Sequence, residues 1–138
     1  MTAFTGGSLW QMRLGRAVGV METVSLFGRS VLIVEDEPLI ALDLALEFEK
    51  VGAFVLTAHS LAEATKLVER DDLAAAVLDF GLGDGDAEAL CLRLNRRGIP
   101  FVLHSGYSHH GPVCSGGKVV PKPATPSALI AAVRQMLT

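Results

Sequence analysis

From Val31 onward the chain alternates short apolar runs with amphipathic stretches, and this alternation restricts the fold more than any other feature. The runs are Val31 to Val34, Ala53 to Thr57, Ala75 to Leu78, Phe101 to His104 and Lys118 to Val120. All are short for buried helices, and most are too uniformly apolar for a strand with one wet face, so they read as strands covered on both sides. Five such strands separated by helical segments predict an α/β architecture, a doubly wound parallel sheet with helices on both faces.

The helices are legible from their ends. Pro38 suits a first helical turn, and the apolar stripe Ile40, Leu44, Phe48 and Val51 runs up to Gly52. Ser60 and Glu63 stand at capping-box spacing at the start of a helix that turns Leu61, Ala64, Leu67 and Val68 inward and ends near Arg70. The third helix buries Ala87, Leu90, Cys91 and Leu94 before Gly98 and Pro100. The last opens with Thr125 as cap and Pro126, with Leu129, Ile130, Val133 and Leu137 as its stripe. Between Ser105 and Lys118 glycines, a proline and paired histidines leave no room for a full amphipathic helix, so the fourth crossover is expected to be short or mobile.

Composition sets the remaining bounds. A chain of 138 residues, half of them hydrophobic and a fifth charged, holds one core and no second domain. Residues 1–29 are read as a flexible N-terminal extension: glycines interrupt any helical stripe, Arg13, Arg16 and Arg29 face Glu22 alone, and Leu9, Trp10 and Leu14 form a candidate docking patch. Met21 is a second candidate start. The domain proper is expected over 30–138. With net charge −3 and no basic block, nucleic acid is not an expected partner. No stretch reaches the ~18 apolar residues of a membrane span, and a cytoplasmic protein is expected. Cys91 and Cys114 lack metal-finger or framework spacing, so neither a disulfide framework nor a zinc site is expected; Cys91 reads as a small core residue and Cys114 as exposed.

In a doubly wound sheet the site forms at the carboxyl ends of the strands. The first strand is followed by Glu35, Asp36 and Glu37, the third by Asp79, the fourth by Ser105, and the fifth, after Pro121, by Lys122. Glu35, Asp36 and Asp79 crowded at one edge repel one another unless a hard cation neutralises them, and Mg²⁺ suits a few carboxylates with phosphate oxygens. Asp79 closes an apolar run and is the candidate nucleophile for a phosphoryl group. Ser105 is placed to donate a hydrogen bond to the phosphoryl oxygens and Lys122 to reach them as a point charge. Taken singly each residue reads as a solvated loop or cap; their coincidence at successive strand ends is what points to chemistry. His59, His104, His109 and His110 lack the spacing of a transition-metal site, and the glycines around Gly81, Gly83 and Gly85 do not form a nucleotide-binding loop.

With those residues in place, the chain resembles the receiver domains of two-component response regulators. The likeness runs from about Val31 to Leu137 and rests on Val31-Leu-Ile-Val-Glu-Asp-Glu-Pro38, Val77-Leu-Asp79, His104-Ser-Gly106 and Val120-Pro-Lys-Pro123. It implies a flavodoxin-like sheet in the order 2-1-3-4-5, with Asp79 as phosphoacceptor and Glu35 and Asp36 as metal-site acids. It adds the Gly81 carbonyl as a further metal ligand and makes Ser105 and Lys122 the switch residues. The segment Pro100 to Tyr107 further resembles single-domain receivers of alphaproteobacteria. The expected function is that of a stand-alone receiver, not an enzyme with an external substrate. It is phosphorylated by a sensor histidine kinase or a phosphotransfer protein and acts on a downstream protein target. Its expected contact face comprises the fourth crossover, the fifth strand and the last helix, which is also where a homodimer would form. Val119 stands where most receivers carry a switch aromatic, and Tyr107 is the candidate replacement. Phe80 to Gly85 departs from the usual Met-Pro turn after the acceptor. The rivals are a receiver-fold adaptor that does not use phosphorylation, a receiver cut from a longer regulator, and a small phosphatase. The phosphatase would want an acid at position 81, where this chain has Gly81.

Overall fold

The computed structural model describes residues 25–79, 87–106 and 112–137. Its elements follow the alternation of the sequence: β1 (Ser30–Val34), α1 (Pro38–Lys50), β2 (Phe54–Ala58), α2 (Leu61–Leu67), β3 (Leu73–Asp79), α3 (Glu88–Arg96), β4 (Phe101–Ser105), a 3₁₀ turn (Pro112–Gly116), β5 (Lys118–Pro121) and α4 (Pro126–Met136). The strands form one parallel sheet in the order β2-β1-β3-β4-β5, so β2 and β5 are its borders.

Alternate residues of each strand point to opposite faces, and the chain fills both faces with apolar side chains. Val31, Ile33, Ala75, Val77 and Val102 pack with Leu44 and Phe48 of α1 and Leu129, Ile130 and Val133 of α4. Leu32, Val34, Ala76, Leu78 and Leu103 pack with Ala64 and Val68 at α2 and Leu90, Cys91 and Leu94 of α3. The caps expected from the sequence form: Ser60 Oγ accepts from the Glu63 amide at 3.1 Å, and Thr125 Oγ1 from the Ala128 amide at 3.1 Å.

Four readings need correction. Ile40 lies outside the core, 46% exposed, because Ala41, Leu44, Ala45 and Phe48 supply the buried i, i+3, i+4, i+7 register and the two alanines let α1 lie close to the sheet. The helix α2 ends at Leu67, three residues short of Arg70. The described backbone is tied into the fold ahead of residue 30: Leu26 is fully buried, the Gly28 amide donates to Gly52 O, and the Phe54 amide donates to Arg29 O. The largest correction concerns the cysteines. Cys91 and Cys114 are joined by a disulfide, and Cys114 is buried, not exposed. The 3₁₀ turn sets Cys114 against the buried stripe of α3, bringing the two Cα atoms to 5.2 Å, within disulfide reach.

Candidate functional site

The carboxyl edge of the sheet collects the polar groups. Glu35 follows β1, and its amide continues the ladder by donating to Ala58 O at 2.9 Å, which fixes its side chain at the strand end. That side chain is buried, with Oε2 accepting from the Glu37 amide at 3.2 Å. Asp79 ends β3 and is buried, whereas Asp36 is exposed. One carboxylate oxygen from each of Glu35, Asp36 and Asp79 lies within 4.8 Å of the others. Burial, followed by the hydrogen-bonding and charge of Asp79 alongside, pushes the Glu35 carboxyl up to about 8, against a smaller opposing effect of the Glu37 amide.

Lys122 brings the cation. Its Nζ donates a charge-assisted hydrogen bond to Asp79 Oδ1, and its backbone amide donates to Ser105 O at 2.8 Å. Ser105 ends β4, is buried, and sits opposite Pro121 in the β4–β5 ladder. The structure thus brings Glu35, Asp36, Asp79 and Lys122 into one cluster, with Ser105 tied to Lys122 through the backbone. Gly81, Tyr107, His109 and His110 lie outside the described residues. Val119 is on β5, 42% exposed.

His104 is the feature that sequence reasoning missed. It precedes Ser105 on β4, paired in register with Asp79 on one side and Val120 on the other. Both ring nitrogens are buried without a hydrogen-bond partner among the described residues. Burial, and then the Lys122 charge, lower its pKa against the pull of Asp79. Its signal in the sequence was a histidine closing an otherwise apolar strand.

The donor set decides which ion suits the cluster. Three carboxylates, two of them buried, with no sulfur or imidazole among the clustered groups, match a hard oxygen-seeking divalent cation and not a transition metal. Burial raises the Glu35 pKa first and the neighbouring Asp79 adds to it; such a cation relieves the part that comes from Asp79.

No protein-family model matches the chain, and no curated protein matches it in sequence. Solved structures do match. The receiver domain of the hybrid histidine kinase CckA is 25% identical, with a TM-score of 0.68 over 79% of this chain and 99% of that one. This chain has the fold of a response regulator receiver domain. The HemR receiver domain from Leptospira biflexa shares that fold at a TM-score of 0.71, with 20% identity over 80% of this chain and 94% of its own. A response regulator protein from Burkholderia pseudomallei is 24% identical with a TM-score of 0.67, covering 76% of this chain, which in turn spans 66% of that one; its structure holds a phosphorylated aspartic acid and a calcium ion. The strand order implied by the sequence resemblance is the one observed in this receiver fold. Among the described residues no helix is long and apolar enough to cross a membrane.

Proposed function

We propose that this chain is a response regulator receiver that accepts a phosphoryl group on Asp79 from a sensor histidine kinase or a phosphotransfer protein, in a magnesium-dependent reaction. One observation carries the reading: a buried strand-end carboxylate, Asp79, has two further acids within 4.8 Å and an ammonium, Lys122, on its Oδ1. The same arrangement would be wasteful in a merely structural role, since crowded buried acids cost stability.

Glu35, Asp36 and Asp79 would hold the magnesium ion, together with the Gly81 carbonyl that the resemblance adds. When bound, the ion supplies positive charge against the oxygens of the transferring phosphoryl group. An oxygen of Asp79 forms a bond to phosphorus as the bond from phosphorus to the donor imidazole nitrogen breaks, and the imidazole keeps that electron pair. Lys122 then loses an anionic partner in Asp79 and gains one in the phosphoryl oxygens, where the Ser105 hydroxyl donates as well. The 2.8 Å bond from the Lys122 amide to Ser105 O makes these two residues respond as a pair. The chain therefore catalyses only its own phosphorylation and dephosphorylation. Its output is a change in the face built from the 3₁₀ turn, β5 and α4, which a downstream protein or a second copy would contact.

Incubation with acetyl phosphate and Mg²⁺, followed by mass spectrometry, tests this. The expected result is one added phosphoryl group, stable in acid and labile in base, absent from Asp79→Asn and absent when the metal is chelated. A chain that takes up no phosphoryl group while binding Mg²⁺ would instead be an adaptor of the same fold.

A further inference from the structure

The disulfide joins α3 to the 3₁₀ turn of the fourth crossover. Cys91 sits on the buried stripe of α3, between Leu90 and Leu94, and is fixed by the core. Cys114 sits in a five-residue 3₁₀ turn, and of the neighbours that follow it, Ser115 and Gly116 are both exposed. Cys114 is fully buried, and its bond to Cys91 ties this turn covalently to α3, beside the close approach of Gly116 to Asn95. The turn lies on the connection between Ser105 and Lys122, whose ends carry the hydroxyl and the ammonium of the site.

We propose that Cys91 and Cys114 form a redox-operated clasp: the disulfide pins the fourth crossover against α3, the dithiol releases it, and the oxidation state thereby sets how freely the crossover follows the Asp79 site. The coupling to Asp79 rests on the phosphoacceptor reading above; the clasp itself does not. Closure by a peroxide is balanced in two steps. One thiol takes an oxygen atom to become a sulfenic acid with release of water, and the second thiol displaces hydroxide from that sulfur, forming the disulfide and a second water. Opening by a small dithiol runs through attack of its thiolate on one sulfur, a mixed disulfide, and departure of the reductant as its own cyclic disulfide. Both sulfurs are buried, so either reagent gains access only when the turn lifts from α3.

The test compares the full chain oxidised with hydrogen peroxide, reduced with dithiothreitol, and as the double variant Cys91→Ser, Cys114→Ser. Peptide mapping of the oxidised form should recover the Cys91 and Cys114 peptides linked. Amide hydrogen exchange over 112–121 should be about tenfold faster in the reduced protein than in the oxidised one, while β1 and β3 stay protected in both. The double variant should exchange at the fast rate with or without reductant; should it fail to fold, the reduced wild type supplies the open state. Failure of peroxide to link the two peptides in folded protein, or equal exchange in the two redox states, overturns the clasp. With the exchange difference in hand, acetyl phosphate labelling reads the coupling: a phosphoryl lifetime that differs severalfold between redox states is expected, and an identical lifetime overturns it. Absence of any adduct in both states strikes the phosphoacceptor reading alone, because the exchange arm decides the clasp without it.

Discussion

Glu35 shows how one residue ties the fold to its chemistry. Its backbone belongs to the sheet, which holds the carboxyl in a buried position beside Asp79 and drives its pKa to about 8. The folded value lies above that of the unfolded chain, so the fold favours the protonated acid. That contribution is complete below the unfolded pKa and is lost as pH rises through about 8. A cation must displace this proton, so Mg²⁺ affinity measured by calorimetry should tighten by roughly tenfold per pH unit from pH 6 towards 8 and level off above. Glu35→Gln removes the titrating group and should flatten that dependence, weaken Mg²⁺ at pH 8 by about tenfold or more, and raise the melting temperature of the metal-free protein at that pH. The acids, Ser105 and Lys122 were legible in the sequence because each directly follows or closes a strand. His104 was not, since nothing in the chain says that an imidazole one residue before the strand end will be buried without a hydrogen-bond partner among the described residues.

At the scale of elements, local signals and packing divide the labour. The strands were readable because burial on both faces leaves a plain apolar run, and α4 because Thr125 and Pro126 mark its start. Removing the cap with Thr125→Ala should cost about 1 kcal/mol in urea unfolding. The turn after α1 is a stricter requirement: Gly52 adopts φ +91°, and a Cβ there would meet Phe27 Cδ1 at 2.5 Å and its Cα at 3.1 Å. Gly52→Ala should therefore destabilise the chain by roughly 1–3 kcal/mol, measured the same way, while leaving the acidic edge intact. What the sequence could not convey was phase and proximity. Choosing Ile40 over Ala41 is a one-residue error on the helix wheel, decided by how closely α1 approaches the sheet. The Cys91–Cys114 bond depends on where a 3₁₀ turn lands after 23 residues of chain, which spacing alone does not encode.

For the molecule as a whole, the sheet gathers charge at one end that its core cannot neutralise, and Lys122 offsets only part of it. A bound divalent cation should stabilise the entire domain: at a hundred times its Kd, Mg²⁺ should add about 2.7 kcal/mol to unfolding, reversed by chelation and largely absent from Asp79→Asn. Thermal unfolding with and without chelator checks this independently of any phosphoryl donor. The position of β5 carries a last consequence. It is a border strand of four residues bearing Lys118 at one end and, at the other, Pro121, which has no amide hydrogen to offer. An intruding strand would find a charge in its way and a rung missing from the ladder, so this margin is guarded against fibril-like stacking, and whatever meets it must interlock through side groups.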